Sequence, residues 1–449
     1  MNLGEIDLEQ AVNTRSIILD CLMEINEKGK YSHKVLFNAL RKYQTLPSEN
    51  RSFISRTVLG TVERRITIDY IIDCFSKVST KKQKPVIRNI LRMSVYQLVF
   101  MKQADYAVCN EAVKLAAKRG FSALKGFING VLRNTARKYN EVEYPNASVR
   151  YSVPTELYDL LSDSYGTEVT EEILKSQFED RPLTVRCNVN RQEPDKLVSE
   201  LEKNGCRARV SEILPFALEI SDYDYLEKIE AFNRGLFTVQ DISSMLVGIA
   251  AAPRTGDYVI DVCGAPAGKS LHIAELLKET GHVQVRDLSP AKTSLIDDNI
   301  RRMGLTNMET LVWDATLPDE SAVNKADILI ADLPCSGLGI INKKPDIKYN
   351  FTMEGVGELV TLQRKILSVV TSYVKPGGTL IFSTCTINPM ENIENVQWIK
   401  ENLPLKPVSV SECLPESLKS DTAGDGYIQL LPDCIHNYDG FFIAKFIKI

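Results

Sequence analysis

Two cysteines stand at comparable points of the chain. Cys335 lies in Asp332-Leu333-Pro334-Cys335-Ser336-Gly337 and Cys385 in Ser383-Thr384-Cys385-Thr386. Each follows an apolar run, Asp327 to Ala331 and Thr379 to Phe382, that reads as a buried strand. In a doubly wound parallel sheet, ligands bind outside the carboxyl ends of the strands, so two thiols there would face one cleft. One chemistry wants such a pair. A cytosine ring is a poor carbon nucleophile until a thiolate adds to C6 and makes C5 enamine-like. A lone cysteine is ordinarily buried and inert, but a pair flanked by small and polar residues at adjacent strand ends departs from that default. A metal site is disfavoured, because none of the four histidines, His33, His272, His282 and His436, lies near either cysteine in sequence. A Cys-His hydrolase is disfavoured on the same ground, since no neighbouring imidazole is available as base.

An earlier strand ends in Asp261-Val262-Cys263-Gly264-Ala265-Pro266-Ala267-Gly268-Lys269-Ser270 and passes into a helix, Leu271 to Lys278. A tight turn of small residues lets a ligand lie against backbone and helix N-terminus. A phosphate loop needs four residues between its first glycine and Gly-Lys-Ser/Thr. Here three separate Gly264 from Gly268, and Pro266 removes a backbone donor. The turn is not a GxGxxG dinucleotide motif either. The next strand ends at Asp287, about 20 residues past the turn, where a carboxylate can hold ribose hydroxyls. The one after ends in Trp313-Asp314, where a carboxylate can accept from an exocyclic adenine amine. Either aspartate alone would serve as a helix cap; three strand ends each carrying the expected group favour a nucleoside.

The elements that must position these residues are legible from period and punctuation. From about 236 onward, short apolar strands alternate with amphipathic helices: Tyr258 to Val262, Val283 to Arg286, Glu309 to Trp313, Asp327 to Ala331, Thr379 to Phe382, Tyr427 to Leu431 and Phe441 to Ile447. This βαβ alternation predicts a Rossmann-like α/β domain with a seven-stranded, mainly parallel sheet, the last two strands pairing as an antiparallel hairpin. From about 150 to 235, a helix Tyr158 to Gln177, a strand Leu183 to Val189, a helix Pro194 to Asn204 closed by Gly205, and strands Ala208 to Ile213 and Ala217 to Ile220 predict a small α+β, ferredoxin-like or RRM-like domain. It lacks the aromatic RNA-binding strand of an RRM. Residues 1–140 read as all-helical: Ile17, Cys21, Leu22 and Ile25 recur at helical spacing, as do Ile87, Ile90, Leu91, Val95 and Leu98. Tyr144 to Ser148 reads as a linker.

The formal net charge of -4 conceals an asymmetry. Residues 1–140 carry 24 Lys and Arg against 12 Asp and Glu; the remainder carries 30 against 46. A basic N-terminal domain on an acidic body suggests a polyanionic partner, with a solvated helical surface as the plain alternative. Ten cysteines without a CxxC pair fit a reducing cytosol. Met1 to Gln10 is acidic and lacks the apolar core of a signal peptide, and no run reaches the roughly 18 apolar residues of a membrane helix. A cytoplasmic monomer without a membrane association or metal is expected.

The constellation resembles the family of RNA cytosine-C5 methyltransferases. Asp261 to Ser270 resembles its Asp-x-Cys-Ala-Ala-Pro-Gly-Gly-Lys-Thr turn for S-adenosylmethionine. Asp332-Leu-Pro-Cys-Ser-Gly, Lys344-Pro345-Asp346-Ile347-Lys348, Ser383-Thr-Cys-Thr and Asp439-Gly440-Phe441-Phe442 match further signatures. Asn110-Glu111-Ala112-Val113 and Gly126 to Asn134 make the helical part resemble a NusB-like RNA-binding domain, a pairing similar to the bacterial RsmB (Sun/Fmu) type. The resemblance spans essentially the whole chain. It implies three domains: 1–140 NusB-like, 150–235 RRM-like, and 236–449 methyltransferase.

It also implies methyl transfer from S-adenosylmethionine to C5 of a cytosine in 16S ribosomal RNA, pointing to cytosine 967, with that RNA or a small-subunit assembly intermediate as partner. By the same resemblance Cys385 is the nucleophile, Cys335 assists release, and Asp332 contacts the cytosine N3 edge and borders the donor pocket. Asp287 and Asp314 hold the donor's ribose and adenine. Cys263, Gly264, Ala265, Pro266, Ala267, Gly268 and Lys269 form its cradle, with Lys269 turned toward the cleft. Ala267 stands where the family usually has Gly, and Gly264 where it usually has Ala. If position 267 needs a positive φ, Ala costs roughly 1 kcal/mol or more, expressed as a shifted loop or weaker donor affinity. Three alternatives stay open: a DNA cytosine methyltransferase with Cys335 as nucleophile, a methyltransferase of another RNA, and an RNA-binding assembly or antitermination-like factor with a non-catalytic fold.

Overall fold

A computed structural model describes residues 13–449; Met1 to Gln10, read above as lacking the features of a signal peptide, lies outside these residues. The chain forms two compact units. One runs to Leu174 and takes in Ile341–Asn350; the other comprises Lys175–Ile340 and Phe351–Ile449.

The first unit is helical. Its seven long N-terminal helices are Thr14–Lys28, Ser32–Lys42, Ser48–Glu63, Arg65–Phe75, Pro85–Val95, Asp105–Lys118 and Lys125–Lys138. The Asn13 side chain accepts from Ser16 N at the first helix start, and Gly29, at φ 66°, closes it. Residues at the 3.6-residue period point inward: Ile17, Cys21, Leu22, Ile25, Ile87, Ile90, Leu91 and Val95 are all buried in one core. Asn146 caps a short helix, Ala147–Arg150, where a linker was expected. The expected helix Tyr158 to Gln177 is two, Thr155–Tyr165 and Thr167–Ser176, parted at Gly166, whose φ of 79° ends the first. The segment Ile341–Asn350, which carries the Lys344 to Lys348 signature, packs in this unit. Lys348 Nζ donates to Glu63 O at 2.7 Å, and Tyr349 lies under the Arg65 guanidinium, 3.8 Å from ring centroid to Cζ.

The second unit holds two sheets. The smaller contains β1 (Leu183–Cys187), β2 (Arg207–Val210), β3 (Ala217–Ser221) and β4 (Phe237–Val239) in the order β2-β3-β1-β4, antiparallel throughout, with the helix Pro194–Lys203 over Val185, Leu218 and Phe237. It is the expected ferredoxin-like domain with a fourth strand added.

The larger sheet contains β5 (Tyr258–Asp261), β6 (His282–Asp287), β7 (Met308–Val312), β8 (Ala326–Asp332), β9 (Val374–Thr384), β10 (Leu405–Pro407), β11 (Tyr427–Leu430) and β12 (Phe441–Lys448). The order is β10-β12-β9-β8-β5-β6-β7, with β11 also on β12; the five strands β9-β8-β5-β6-β7 are parallel. It has eight strands rather than seven, because β10 adds a short edge. The β11–β12 hairpin forms as expected, and β12 also pairs with β9. The central strands β5 and β8 and the second half of β9 are buried on both faces, which is why they read as apolar runs, whereas the edge strand β7 is only partly covered. Ile328 and Ile330 enter one core, Leu329 and Ala331 the other. From β5 the chain proceeds outward to β6 and β7, then returns to lay β8 on the opposite side of β5. The crevice at the carboxyl ends of β5 and β8 is therefore the switch point where such sheets bind ligands.

Candidate active site

At the end of β5 the Asp261 side chain turns inward. It accepts from Cys263 N at 3.3 Å and from the Ser270 hydroxyl, and burial raises its pKa to about 6, with Ser270 opposing the shift. The turn that follows is pinned by Gly264 N to Arg286 O at 2.9 Å and Ala267 N to Gly264 O at 2.6 Å. Ala267 is fully buried in the left-handed region, φ 81° and ψ 12°, immediately before the helix Gly268–Leu276. The positive φ is thus met by an alanine, at a cost of about 1 kcal/mol relative to glycine. Gly264 has a separate reason: a Cβ there would overlap Cγ1 of buried Val285 and sit 3.1 Å from the Asp261 carboxyl. The two departures from the family pattern therefore have different physics, strain at one position and close packing at the other.

Asp287, ending β6, reaches back to the turn. Its carboxylate accepts from Ala265 N at 3.2 Å and Leu288 N at 2.7 Å and pairs with Lys292 Nζ at 3.0 Å. Asp314 follows β7 and accepts from Thr316 N at 2.8 Å; that hydrogen bond holds its pKa below the ordinary value. Asp314 therefore does cap its own loop through Oδ1. Sequence reasoning missed the support beneath the turn. Arg186 of β1, 1% exposed, pairs with Glu275 at 2.9 Å, bonds the Gln240 side chain and donates to Gly268 O at 2.9 Å. The sequence hid it, because Arg186 falls with Thr184 and Asn188 on the polar side of an alternating strand, the ordinary place for a solvent-facing charge.

Asp332 ends β8 and is gripped on both oxygens, by Lys269 Nζ at 2.7 Å and Ser383 Oγ at 2.8 Å. Burial opposes the Lys269 charge, but Asp332, Cys385 and Asp261 outweigh it and raise the lysine pKa. Beyond Asp332, the Cys335 sulfur lies 3.4 Å from that of Cys385. The Cys335 pKa is pushed well up, first by the contact with Cys385, then by burial and by the charges of Cys385, Glu391 and Asp332. The closing Asp439-Gly440-Phe441-Phe442 motif has a packing role. Gly440 N donates to Gly339 O at 2.9 Å and Gly339 N to Cys385 O at 3.1 Å, and a Cβ on either glycine would strike the facing backbone.

The fold thus gathers Lys269, Asp332, Cys335 and Cys385 into one connected cluster. It places Cys263 to Gly268 in the adjoining turn and Asp287 against that turn, and sets Asp314 one strand farther out. Ser383, Ser336 and Glu391 belong to the cluster and were not singled out by residue type. Among the described residues, no group of three or more His, Cys, Asp or Glu side chains is arranged to hold a metal, and no helix is long and apolar enough to cross a membrane.

A helical NusB domain, a ferredoxin-like domain and an α/β methyltransferase domain with a mainly parallel sheet define the class. Residues 248–447 match the family described as 16S rRNA methyltransferase RsmB/F, 12–137 the NusB family, and 153–223 the ferredoxin-like domain of RsmF/B-like methyltransferases. The probable ribosomal RNA small subunit methyltransferase B of Bacillus subtilis is 33% identical over 97% of this chain and 99% of its own length. The corresponding methyltransferase B of Proteus mirabilis is 26% identical over 94% and 99%. In fold, PH0851 superposes with a TM-score of 0.81 at 24% identity, covering 98% of this chain and 99% of its own. NSun6 from Pyrococcus horikoshii with SFG gives 0.57 at 22%, over 66% and 98%. The chain belongs to the ribosomal RNA small subunit methyltransferase B family.

Proposed function

We propose that this methyltransferase makes 5-methylcytosine in 16S ribosomal RNA, with cytosine 967 as the target the family resemblance suggests. The observation that carries the reading is the thiol pair, 3.4 Å apart, beside the Lys269–Asp332 ion pair at the switch point. S-adenosylmethionine, when bound, supplies an electrophilic methyl group. Its cradle would be Cys263 to Lys269, with Asp287 for the ribose, Asp314 for the adenine, and Asp332 at the border with the base. The residues suit it: a buried small-residue turn, and carboxylates at the two neighbouring strand ends.

The Cys385 thiolate adds to C6, forming a C–S bond while the ring's electrons shift toward C5. Asp332, oriented by Lys269 and Ser383, holds the N3 edge of the base by accepting from the adjacent exocyclic amine. C5 then takes the methyl group. Cys335, as thiolate, removes the C5 proton; that C–H pair becomes the C5–C6 double bond, and the C6–S bond returns its electrons to Cys385. The Lys269 ammonium faces Cys385 as well as Asp332, which favours Cys385 as the attacking sulfur. The basic helical domain supplies salt-sensitive affinity for phosphate. The target base must leave its stack to enter the pocket, so a loop or junction suits it better than an intact duplex, whether in naked RNA or an assembling subunit.

Each cysteine variant, incubated with RNA and donor and run on a denaturing gel, tests this. Cys335→Ala should trap RNA covalently and Cys385→Ala should not. The opposite pattern would make Cys335 the nucleophile, and no adduct with either, together with no donor binding by calorimetry, would leave a non-catalytic scaffold.

A further inference from the structure

The buried carboxylate of Glu391 takes no part in the steps above, and its side chain is wholly enclosed. It sits on the short turn Pro389–Glu391 beyond Cys385. Its Oε1 accepts from Ser336 N at 2.8 Å and Gln363 Nε2 at 3.2 Å; its Oε2 accepts from Ser336 Oγ at 2.5 Å and Asn388 Nδ2 at 3.0 Å. Four donors meet the two oxygens, which fills the acceptor capacity of a carboxylate.

Two of those donors belong to Ser336, the residue next to Cys335. Ser336 spends its single hydroxyl proton on Glu391, so Thr386, next to Cys385, must be the donor in the 2.8 Å contact between the two hydroxyls. Thr386 Oγ1 in turn accepts from Asn388 N at 3.2 Å. Gln363 also donates to Pro334 O at 2.9 Å, and Asn395 secures Gln363 Oε1 at 2.7 Å and Glu391 O at 3.0 Å. Both neighbours of the thiols are therefore clasped, on the β8 side by Glu391 itself and on the β9 side through Ser336.

We propose that Glu391 is a positioning residue that sets the Cys335 sulfur against Cys385, so that the second thiol reaches the C5 proton. The inference rests on the roles given to the two cysteines above. Its consequence is selective. Loss of the clasp lets the Cys335 loop drift, while the Cys385 side keeps two supports outside it, Gly339 N on Cys385 O at 3.1 Å and Asn392 Nδ2 on Thr386 O at 2.9 Å, so release suffers and attack does not. A misplacement of order 1 Å at a reacting group costs about a hundredfold in rate.

The test is Glu391→Gln in the full chain, with both cysteines present. The amide would set an NH2 against groups that themselves donate, breaking two of the four bonds. Covalent RNA adduct should form at the wild-type rate and decay at least about tenfold more slowly, the lost positioning outweighing the easier ionisation of Cys335 once the Glu391 charge is gone, with donor affinity by calorimetry unchanged. Phenylarsine oxide, which bridges paired thiols, should be captured more slowly by the variant without RNA or donor. Ser336→Ala cuts the same tether from the other side and serves if Glu391→Gln does not fold. Wild-type adduct decay in a folded variant overturns the proposal, as does an equal loss in adduct formation and decay. If Cys335→Ala itself fails to trap RNA while Glu391→Gln still slows arsenical capture, the cysteine roles fail and the geometric clasp survives.

Discussion

Gly264 and Val285 form a testable lock in the donor turn. Replacing Gly264 by Ala inserts a methyl group where Val285 Cγ1 already lies, 3.1 Å from the Asp261 carboxyl. Val285 is fully buried and β-branched, so it has little rotamer freedom with which to yield. Overpacking of this kind costs about 1–3 kcal/mol, offset by about 0.4–1 kcal/mol from the stiffer unfolded chain. Val285→Ala removes two buried methyl groups, about 1.6 kcal/mol of transfer energy plus a cavity, or roughly 2–3 kcal/mol in all. In the double variant the new methyl no longer meets Val285 Cγ1, keeps only its 3.1 Å approach to the Asp261 carboxyl, and fills part of the void. The double should therefore be at least about 1 kcal/mol more stable than the sum of the singles implies. Both tryptophans, Trp313 and Trp398, lie in the α/β unit, so urea unfolding followed by their fluorescence reads this unit alone. Additivity within about 0.5 kcal/mol would refute the packing account of Gly264.

Two further predictions concern buried charges. Arg186→Met leaves Glu275 buried without its partner, which should cost about 3–5 kcal/mol and weaken donor binding through the freed Gly268 carbonyl; adding Glu275→Gln should recover most of the stability, and no recovery in urea unfolding would argue against the pair. Lys348, wholly buried, has its pKa lowered from 10.5 to about 7 by burial, with Glu63 opposing. Between those values the unfolded chain holds a proton that the folded chain does not, so this group makes stability rise with pH from about 7 to about 10.5 and penalises the fold fully below 7. Lys348→Met should therefore stabilise the helical unit at pH 7 and progressively less toward pH 10, since Glu63 O keeps the Tyr349 hydroxyl at 3.0 Å; a gain independent of pH in thermal scans by circular dichroism would contradict this.

What could be read in the sequence was what local chemistry writes there. The central parallel strands β5, β8 and β9 announced themselves because burial on both faces forces apolar runs, and Asp332, Cys335 and Cys385 because polar residues end those runs. The edge strand β10 has three residues and closes on a proline, and β4 also has only three, too short for a period to show. The supporting residues were hidden for another reason. Ser336 and Glu391 are 55 residues apart, Ser383 and Asp332 51, and Arg186 and Glu275 89; nothing local marks any of them as partners. The Lys344 to Lys348 signature was visible as a motif, but that it packs in the helical unit, against Ser32 and Glu63, is a property of the fold alone.

The proximity of the two sulfurs also bears on timing. On the cysteine roles proposed above, the base for the C5 proton is the Cys335 thiolate, yet in the free protein the Cys335 pKa is pushed well up, and the largest cause is its contact with Cys385. Once Cys385 is bonded to C6 it is a neutral thioether, and neither that contact nor its negative charge opposes ionisation of Cys335 any longer. Burial and the charges of Glu391 and Asp332 remain, so the pKa falls from its resting position without vanishing as a constraint. Attack thereby primes release: the second thiol loses its proton to solvent only after the first is committed, which accounts for the one proton that conversion of cytosine to 5-methylcytosine sets free. The expected signature is a decay of the covalent adduct that accelerates with pH, about tenfold per unit until Cys335 is ionised, measured by pH-jump of preformed adduct and denaturing gel. Ser336→Ala should keep that slope at a lower rate, and Cys335→Ala should lose it. Adduct decay independent of pH in the wild-type protein would mean that some group other than Cys335 takes the proton.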